Sequence, residues 1–391
     1  MNKKLLAAAV AAAVVASPAA FAESTVYGKM HASIDAQDYE STSADNYEVN
    51  SRASRLGFKG SEDLGNGLKA IYQIELGIDI NSSGEDGQGA SSSSPWGTST
   101  RNTFVGLSGD WGTFFVGRHD TPAKTAFYAA GNDRLGDSVI DLNLRNNLKG
   151  EPDRRFYPIG VFHEYRADDA IAYVSPNFSG FTVIAAVMPG EDGKKTSLQT
   201  IGNARDGLAD HYSFGAMYKG NGLKASVGYA SYDLDPATSV PYDLGTEGAD
   251  YEVLQAGATY TMNNFSFGGQ YEDASNMPPG FLPSSVTTAF NIGNKGHDYR
   301  AWALTGKATF GNNAISAVYT DAKFEPKVNI SGDFDVDRSG WGVAAEHNFS
   351  KRTKVYAAYA AGEDEYGRAL KDGGQKDEDN DVFSLGMIHN F

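Results

Sequence analysis

Sixteen short segments of alternating character are joined, in strict rotation, by tight turns and long polar loops, and few folds permit that arrangement. In LKAIYQIELGID, Leu68, Ala70, Tyr72, Ile74 and Leu76 share one parity. Lys69, Gln73 and Glu75 hold the other, with Ile71 the exception. Successive side chains of a strand point to opposite faces, so this segment reads as a strand with one apolar face. Leu223, Ala225, Val227 and Tyr229 repeat the pattern against Lys224, Ser226, Gly228 and Ala230. Phe383, Leu385, Met387, His389 and Phe391 repeat it at the carboxyl end. The spacing predicts strands at 25–36, 47–60, 68–79, 99–108, 113–119, 166–175, 181–189, 210–218, 223–232, 249–261, 265–273, 298–309, 314–323, 338–348, 353–362 and 381–391.

Seven joins are tight: GNG (65–67), GDWG (109–112), PNFSG (176–180), KGNG (219–222), MNN (262–264), FGNN (310–313) and FSKR (349–352). They are rich in the Gly and Asn that short hairpins need for positive φ. The other eight are long and rich in Asp, Gly and Ser, such as NSSGEDGQGASSSSPWG. The hexapeptide GNGLKA closes two tight joins, at Gly65–Ala70 and Gly220–Ala225, each leading from an even strand to an odd one. Short joins on one rim and long loops on the other describe an up-and-down barrel that crosses a membrane. In lipid every backbone N–H and C=O must be paired within the sheet, so the sheet closes, and an even strand count allows it. A secreted sandwich or propeller predicts no such asymmetry. The expected fold is all-β: a 16-stranded antiparallel transmembrane β-barrel. A mean hydropathy of −0.40 and 21 % charged residues do not oppose this, because a barrel hides its apolar band in alternate residues.

The start, MNKKLLAAAVAAAVVASPAAFA, reads as an export signal. Lys3 and Lys4 precede an uncharged apolar run, and Ala20-Phe21-Ala22 gives the small-x-small cleavage pattern. The run is shorter than the ~20 residues a spanning helix needs. The expected organisation is a signal peptide over 1–22 and a barrel domain over 23–391. Without the signal, 31 basic residues face 49 acidic ones, a balance of −18. Such a surface repels phosphate, so nucleic acid is not an expected partner. With no cysteine, disulfides and thiolate metal sites are impossible.

Four stretches, TVYGKMHASID, SRLGFKGSEDLGNGLKAIYQIE (54–75), RNTFVGLSGDWGTFFVGRHDTPAK (101–124) and the ending VFSLGMIHNF, resemble the trimeric general-diffusion porins of Gram-negative outer membranes, in the branch found in Neisseria and other proteobacteria. The resemblance implies a homotrimer set in outer-membrane lipid and lipopolysaccharide. It implies that the barrel-assembly machinery reads a carboxyl-terminal signal, here Phe391 with Phe383, Leu385 and Met387. It also implies an inward-folded third external loop, here about His119–His163, whose carboxylates face a ladder of wall arginines. Asp133, Asp137 and Asp141, spaced by four, are the candidates from the loop, and their spacing fits one face of a short helical turn. Arg55, Arg101, Arg166 and Arg118 match the ladder by local motif, with Lys59 beside them. Parity is an independent test of their aim. With Leu56 and Phe58 toward lipid, Arg55 and Lys59 face the lumen. With Phe104 outward, Arg101 faces in; with Ile171 and Tyr173 outward, so does Arg166. Arg118 follows Phe114 and Val116, against its motif. The enterobacterial Pro-Glu-Phe-Gly-Gly loop tip is missing, and Lys124, Arg134, Arg145, Arg154 and Arg155 are interspersed in the loop.

Catalysis is not expected. The seven histidines are scattered, and His119-Asp120 is a poor dyad because neighbours on a strand face opposite ways. No cofactor is expected, and no metal: SGDFDVD (331–337) and DGGQKDEDND (372–381) lack the ligand spacing of a calcium loop. The expected function is a water-filled channel for passive diffusion of small hydrophilic solutes and ions, with a weak cation preference from acidic loops. The rival is a substrate-selective channel for anions, phosphate or organic acids, or for sugars on an aromatic track. Inward aromatics are few in the strand assignments, which disfavours the track.

Overall fold

The alternation is realised as one antiparallel sheet that closes on itself. The computed structural model describes residues 23–39, 46–80, 100–143, 158–163, 165–189, 207–232, 250–277, 296–327 and 332–391. The expected signal segment and Arg145, Arg154 and Arg155 lie outside the described residues. In chain order the strands are β1 (Glu23–Tyr39), β2 (Asn46–Ser51), β3 (Arg55–Gly65), β4 (Leu68–Gly77), β5 (Thr103–Gly109), β6 (Gly112–Asp120), β7 (Arg166–Val174), β8 (Phe181–Met188) and β9 (His211–Gly220). They continue as β10 (Leu223–Tyr232), β11 (Tyr251–Met262), β12 (Phe265–Met277), β13 (His297–Phe310), β14 (Asn313–Pro326), β15 (Val336–Asn348), β16 (Thr353–Tyr366) and β17 (Glu378–Asn390). Among the described residues two short helices interrupt the connections, α1 (Pro122–Ala129) and α2 (Arg368–Asp372).

Seventeen strand segments make sixteen staves, because β2 and β3 are one strand broken at Arg52–Ser54. Both pair with β1, β3 through Glu23–Lys29 and β2 through Ala32–Gln37. Ala53 takes φ +48° in the break, and the Arg52 N–H still donates to the His31 carbonyl at 2.8 Å. The other edge of β1 pairs with β17 from Lys29↔Asn390 to Tyr39↔Asn380, which closes the barrel. The last residue extends that seam: Gly28 N–H donates to Phe391 O at 3.0 Å and Phe391 N–H to Gly28 O at 3.1 Å. The Phe391 ring lies over Gly28, where a Cβ would come within 2.3 Å of it.

Both GNGLKA copies form the same two-residue turn. Asn66 and Gly67 have φ +52° and +77°, and Asn221 and Gly222 have +50° and +80°. Positive φ at both central positions defines the hairpin turn whose twist matches the flanking strands. Faces sort as the alternation expects. Val26, Leu254, Phe267, Leu304 and Ile315 stay 44–61 % exposed on the outer face. His31, Ser33, Asp35 and Gln37 of β1, with Gln255 of β11 and Glu272 of β12, are buried on the inner one. An apolar exterior round a polar interior is the inverse of a water-soluble protein and fits a hydrocarbon surround.

Candidate functional site: the inner wall and the third long connection

The connection from β6 to β7 is the third long one in the chain, and its described residues lie against the inner face of the barrel. Thr121 starts α1 by accepting from Lys124 N–H at 3.2 Å, and Pro122 sits in the first turn, where a missing N–H costs nothing. The helix rests on glycines. A Cβ at Gly228 would lie 2.7 Å from Ala123 Cα, and one at Gly215 2.7 Å from the Pro122 carbonyl. Polar bonds fix its position: Ala123 N–H donates to Ser213 Oγ at 3.0 Å, and Ser226 Oγ donates to the Ala126 carbonyl at 2.5 Å.

Beyond α1 the chain follows the wall round and comes back. Asn132 donates to the Gly269 carbonyl of β12 at 2.7 Å, and Arg134 Nε to Thr305 Oγ1 of β13 at 2.9 Å. Burial pulls the Arg134 pKa down, with the neighbouring Asp133 charge opposing the shift. Asp137 reaches β1 and pairs with Lys29 at 2.8 Å. The return leg passes Gly342 and Gly340 of β15, which a Cβ would bring to 2.6 Å and 2.8 Å of Ile140 and Ile159. Tyr299 of β13 donates to the Val161 carbonyl. Glu272 of β12 then takes His163 by its backbone N–H at 3.1 Å and its Nδ1 at 2.5 Å. The two legs are joined by Val161 and Phe162 N–H groups donating to Leu142 O at 3.0 and 2.9 Å. This leg buries Ile140, Leu142, Ile159, Val161 and Phe162 completely.

The charged wall lies elsewhere, on β1 and β3–β7. Arg101 Nε donates to Glu75 Oε1 of β4 at 2.6 Å, and Tyr27 of β1 donates to the other oxygen at 2.9 Å. Arg166 holds Asp120 at 2.9 Å and Asn102 at 2.8 Å, and Lys124 of α1 reaches the same carboxylate at 2.9 Å. Arg118 pairs with Asp168 and donates to the Thr100 carbonyl at 2.8 Å. Arg55 and Lys59 make no ion pair among the described residues, and the Lys59 ammonium sits 5.1 Å from the Tyr27 ring centre. The arrangement is a closed, water-compatible interior with charged groups on one side and a packed peptide segment on the other.

A family model described as Gram-negative porin matches residues 7–367. The chain belongs to that family. The porin is 27 % identical over 366 residues to the major outer membrane protein P.IB of Neisseria meningitidis serogroup B, covering 91 % of each chain. The P.IB protein of Neisseria gonorrhoeae is 28 % identical, again over 366 residues, 91 % of this chain and 92 % of that one. The anion-selective porin from Comamonas acidovorans superposes with a TM-score of 0.66 at 21 % identity, over 95 % of this chain and 100 % of that one. Salmonella typhi OmpF, in complex with daunomycin, gives 0.64 at 15 %, over 94 % and 97 %. Those two likenesses concern the barrel fold. Family and fold together make the protein an outer-membrane porin channel.

Several expectations need correction. Asp133, Asp137 and Asp141 do not share a helical face: α1 ends at Ala129, and Asp137 has φ +62°. Asp141 instead accepts from the N–H groups of Asp137 at 2.6 Å and Asn143 at 2.9 Å, a local turn that competes with helix. Phe104 faces inward, 4.8 Å from Phe115, because Val105 and Leu107 hold the lipid face of β5. Arg101 still reaches the inner Glu75, since it lies before β5 starts and is not bound by its parity. Parity also fails for Arg166: β7 has an extra residue opposite Gly117–His119 and Asp169 takes φ +55°, yet the Arg166 side chain is buried on Asp120. Arg118 uses its charge on the β7 neighbour Asp168. Arg55 and Lys59 keep the inner parity, with Phe58 exposed outside.

Inner aromatics are not few. Tyr232, Tyr251, Tyr299, Phe324, Tyr356 and Tyr366 all sit inside and are at most 4 % exposed. The first four pack against the connection or one another, as in Tyr165–Tyr232 at 5.4 Å and Tyr299–Phe324 at 4.6 Å, and none lies open to a solute. Lys29, Glu75 and Glu272 were missed as site residues, although each has inner parity in its own strand. The glycines at inner parity, Gly215, Gly228, Gly340 and Gly342, were the available signal for the docked segment, since a strand glycine marks close approach of another backbone.

Proposed function

We propose that the porin is a homotrimeric general-diffusion channel whose third long connection folds into the lumen and sets its narrowest point. The observation that carries this is the path of the described residues 121–143 and 158–163: they run along the inner wall from β9 to Lys29 of β1 and back to β12. Small hydrophilic solutes and ions pass between that segment and the wall that carries Arg55, Lys59, Arg101 and Arg166, with Asp137 on the segment's side. Because Arg101, Arg166 and Arg118 are matched by Glu75, Asp120 and Asp168, the wall contributes little net positive field. The acidic balance of the whole chain then leaves a weak cation preference. Buried aromatics and a matched basic ladder give no support to a substrate-selective channel, and the reading includes no catalysis, cofactor or resident metal.

A trimeric partner structure favours the homotrimer: the Vibrio cholerae OmpT structure described as a trimer form shares the fold at a TM-score of 0.58. In this reading the chain is exported, cleaved near Ala22, and inserted by the barrel-assembly machinery through Phe383, Leu385, Met387 and Phe391. The first three project from the outer face of β17. Lipid and lipopolysaccharide then surround the apolar exterior. The test is conductance in a planar bilayer under a salt gradient. The reading predicts stepwise openings in groups of three, current linear in solute concentration, and a reversal potential of cationic sign; an anionic sign overturns the selectivity, and block by a single saturating sugar overturns the open pore.

A further inference from the structure

The third connection leaves α1 through a left-handed residue. The Ala130 and Gly131 N–H groups donate to the Ala126 and Tyr128 carbonyls at 3.2 and 3.1 Å, and Gly131 takes φ +76°. Glycine there ends a helix without the penalty a Cβ would bring. The turn delivers Asn132 to the inner face of β11, β12 and β13, where it is completely buried. Four wall residues share its carboxamide. Thr259 of β11 and Thr305 of β13 donate their hydroxyls to Asn132 Oδ1, each at 3.0 Å. Asn132 Nδ2 donates to the Gly269 carbonyl of β12 at 2.7 Å and to Gln270 Oε1 at 3.1 Å.

Neighbours settle which way that amide points. Arg134 Nε donates to Thr305 Oγ1 at 2.9 Å, which leaves the threonine proton for Asn132. The Gly269 carbonyl can only accept, so it turns the Nδ2 end toward β12. The floor is shaped to match, since a Cβ on Gly268 would overlap Asn132 Oδ1. Among side chains of this size only a carboxamide accepts twice and donates twice. Aspartate has no donor for Gly269 and Gln270. Leucine has neither end, and two hydroxyl donors and two acceptors would lose the partner they have here.

We propose that Asn132 is the positioning residue of the constriction: its carboxamide, seated on β11–β13, fixes how far the third connection stands from the opposite wall. Asp133, Arg134 and Asp137 follow it within five residues, so the seat also sets where those charges lie. Arg134 to Thr305 and Asp137 to Lys29 are ties through long side chains, which can follow a shifting backbone. Asn132 holds the backbone through a short side chain bonded at both ends, so a shift of the segment breaks its bonds. The residue meets no permeating ion and acts through the chain it holds. This inference rests on the channel reading above, with the connection inside the lumen.

The test is single-channel recording in potassium chloride on the wild type, on Asn132→Leu, and on Asn132→Cys/Gly268→Cys with its thiols reduced or oxidised. The chain has no cysteine of its own, and a Cβ at Gly268 lies against the Asn132 side chain, so the two introduced sulfurs are within reach of a disulfide. Expected in Asn132→Leu are shifted conductance levels in place of one level per pore. Their occupancy should rise roughly 10- to 100-fold, the scale of two to three lost hydrogen bonds, with barrel melting unchanged. The reduced double variant should flicker in the same way, and oxidation should restore the single level. A quiet, wild-type conductance in Asn132→Leu overturns the proposal. So does a barrel that fails to form or melts lower, since the residue would then be structural. Thiols that do not join, by thiol titration, or flicker unchanged by oxidation overturn it from the side of the wall. A wild-type trimer that passes no current refutes the channel reading and, with it, the role given to Asn132, even where the thiols join.

Discussion

The inner wall of this porin has two unlike halves. From β9 to β16 glycine, serine and threonine floor it where the connection between β6 and β7 lies, and its charges Glu272, Lys307, Glu346, Lys354, Arg338 and Asp364 are paired. On β1 and β3–β7 the segment touches it through the Lys29–Asp137 and Asp120–Lys124 ion pairs, and the wall carries arginine, lysine and matched carboxylates. The difference follows from what each half must meet. A docked backbone needs close approach and hydrogen-bond partners, which small residues provide. A wall facing water can hold charge at little desolvation cost, and holds more of it when pairs of opposite sign are adjacent.

The strongest way to break the contrast is to fill the floor. Gly228→Leu places a side chain where Ala123 Cα stands at 2.7 Å and its carbonyl at 3.0 Å. Those are backbone atoms, so α1 must lift, at about 1–3 kcal/mol of overpacking. Urea-gradient refolding should report the loss, and single-channel recordings a wider, noisier pore.

Untying the tip of the connection is the next step down. Lys29→Ala removes the ion pair to Asp137, whose side chains are 11 % and 18 % exposed. That lies between exposed and buried pairs, so about 1 kcal/mol is expected, with flickering in the open-channel current and unchanged barrel melting. Asp137→Asn should give the same flicker; a quiet channel in both would show that the pair does not hold the segment.

On the bare half, Arg101→Ser leaves the Glu75 carboxylate with Tyr27 as its remaining hydrogen-bond donor among those described. One uncompensated negative charge then faces the aqueous path. The cation-to-anion permeability ratio should rise roughly 2- to 4-fold, as for a single charge about 5 Å away in a water-like medium. A ratio unchanged within error would place the ion path away from Arg101. The smallest effect expected is at Gly306, where a Cβ meets nothing within 4 Å and φ is not positive. Gly306→Ala should be neutral or stabilising by a few tenths of a kcal/mol in the refolding assay, which sets the baseline for Gly228.

The two halves were not equally legible in the sequence. Strand alternation placed all sixteen staves, and it put Arg55 and Lys59 on the inner face because β3 runs unbroken from Arg55 with Phe58 outside. Where a strand is interrupted, parity loses its meaning. Val105 and Leu107, not Phe104, hold the outer face of β5, and Asp169 with φ +55° resets β7 before Arg166. The covered half was invisible for another reason: a glycine in a strand lowers the apparent quality of the pattern, and only the docked segment explains it. Likewise Asp133, Asp137 and Asp141 follow a helical spacing by arithmetic, while the Asp141 carboxylate prefers its own backbone neighbours. The GNGLKA repeat is one turn used twice, with positive φ at Asn66 and Gly67 and again at Asn221 and Gly222. Its flanks differ more than its centre: Asp63 faces Lys69 in the first copy, Lys219 faces Lys224 in the second.

Because the native sequence contains no cysteine, single introduced thiols report the two halves without background. Lys59→Cys stands on the bare wall, and Thr259→Cys lies under the connection, where Thr259 is 3 % exposed and donates to Asn132 at 3.0 Å. A charged, water-soluble methanethiosulfonate reagent, applied during bilayer recording, should modify Lys59→Cys rapidly with stepwise loss of current, and leave Thr259→Cys unaffected. Equal rates at both positions would mean that the segment does not cover that wall, and the constriction assigned to the described residues 121–143 and 158–163 would be wrong.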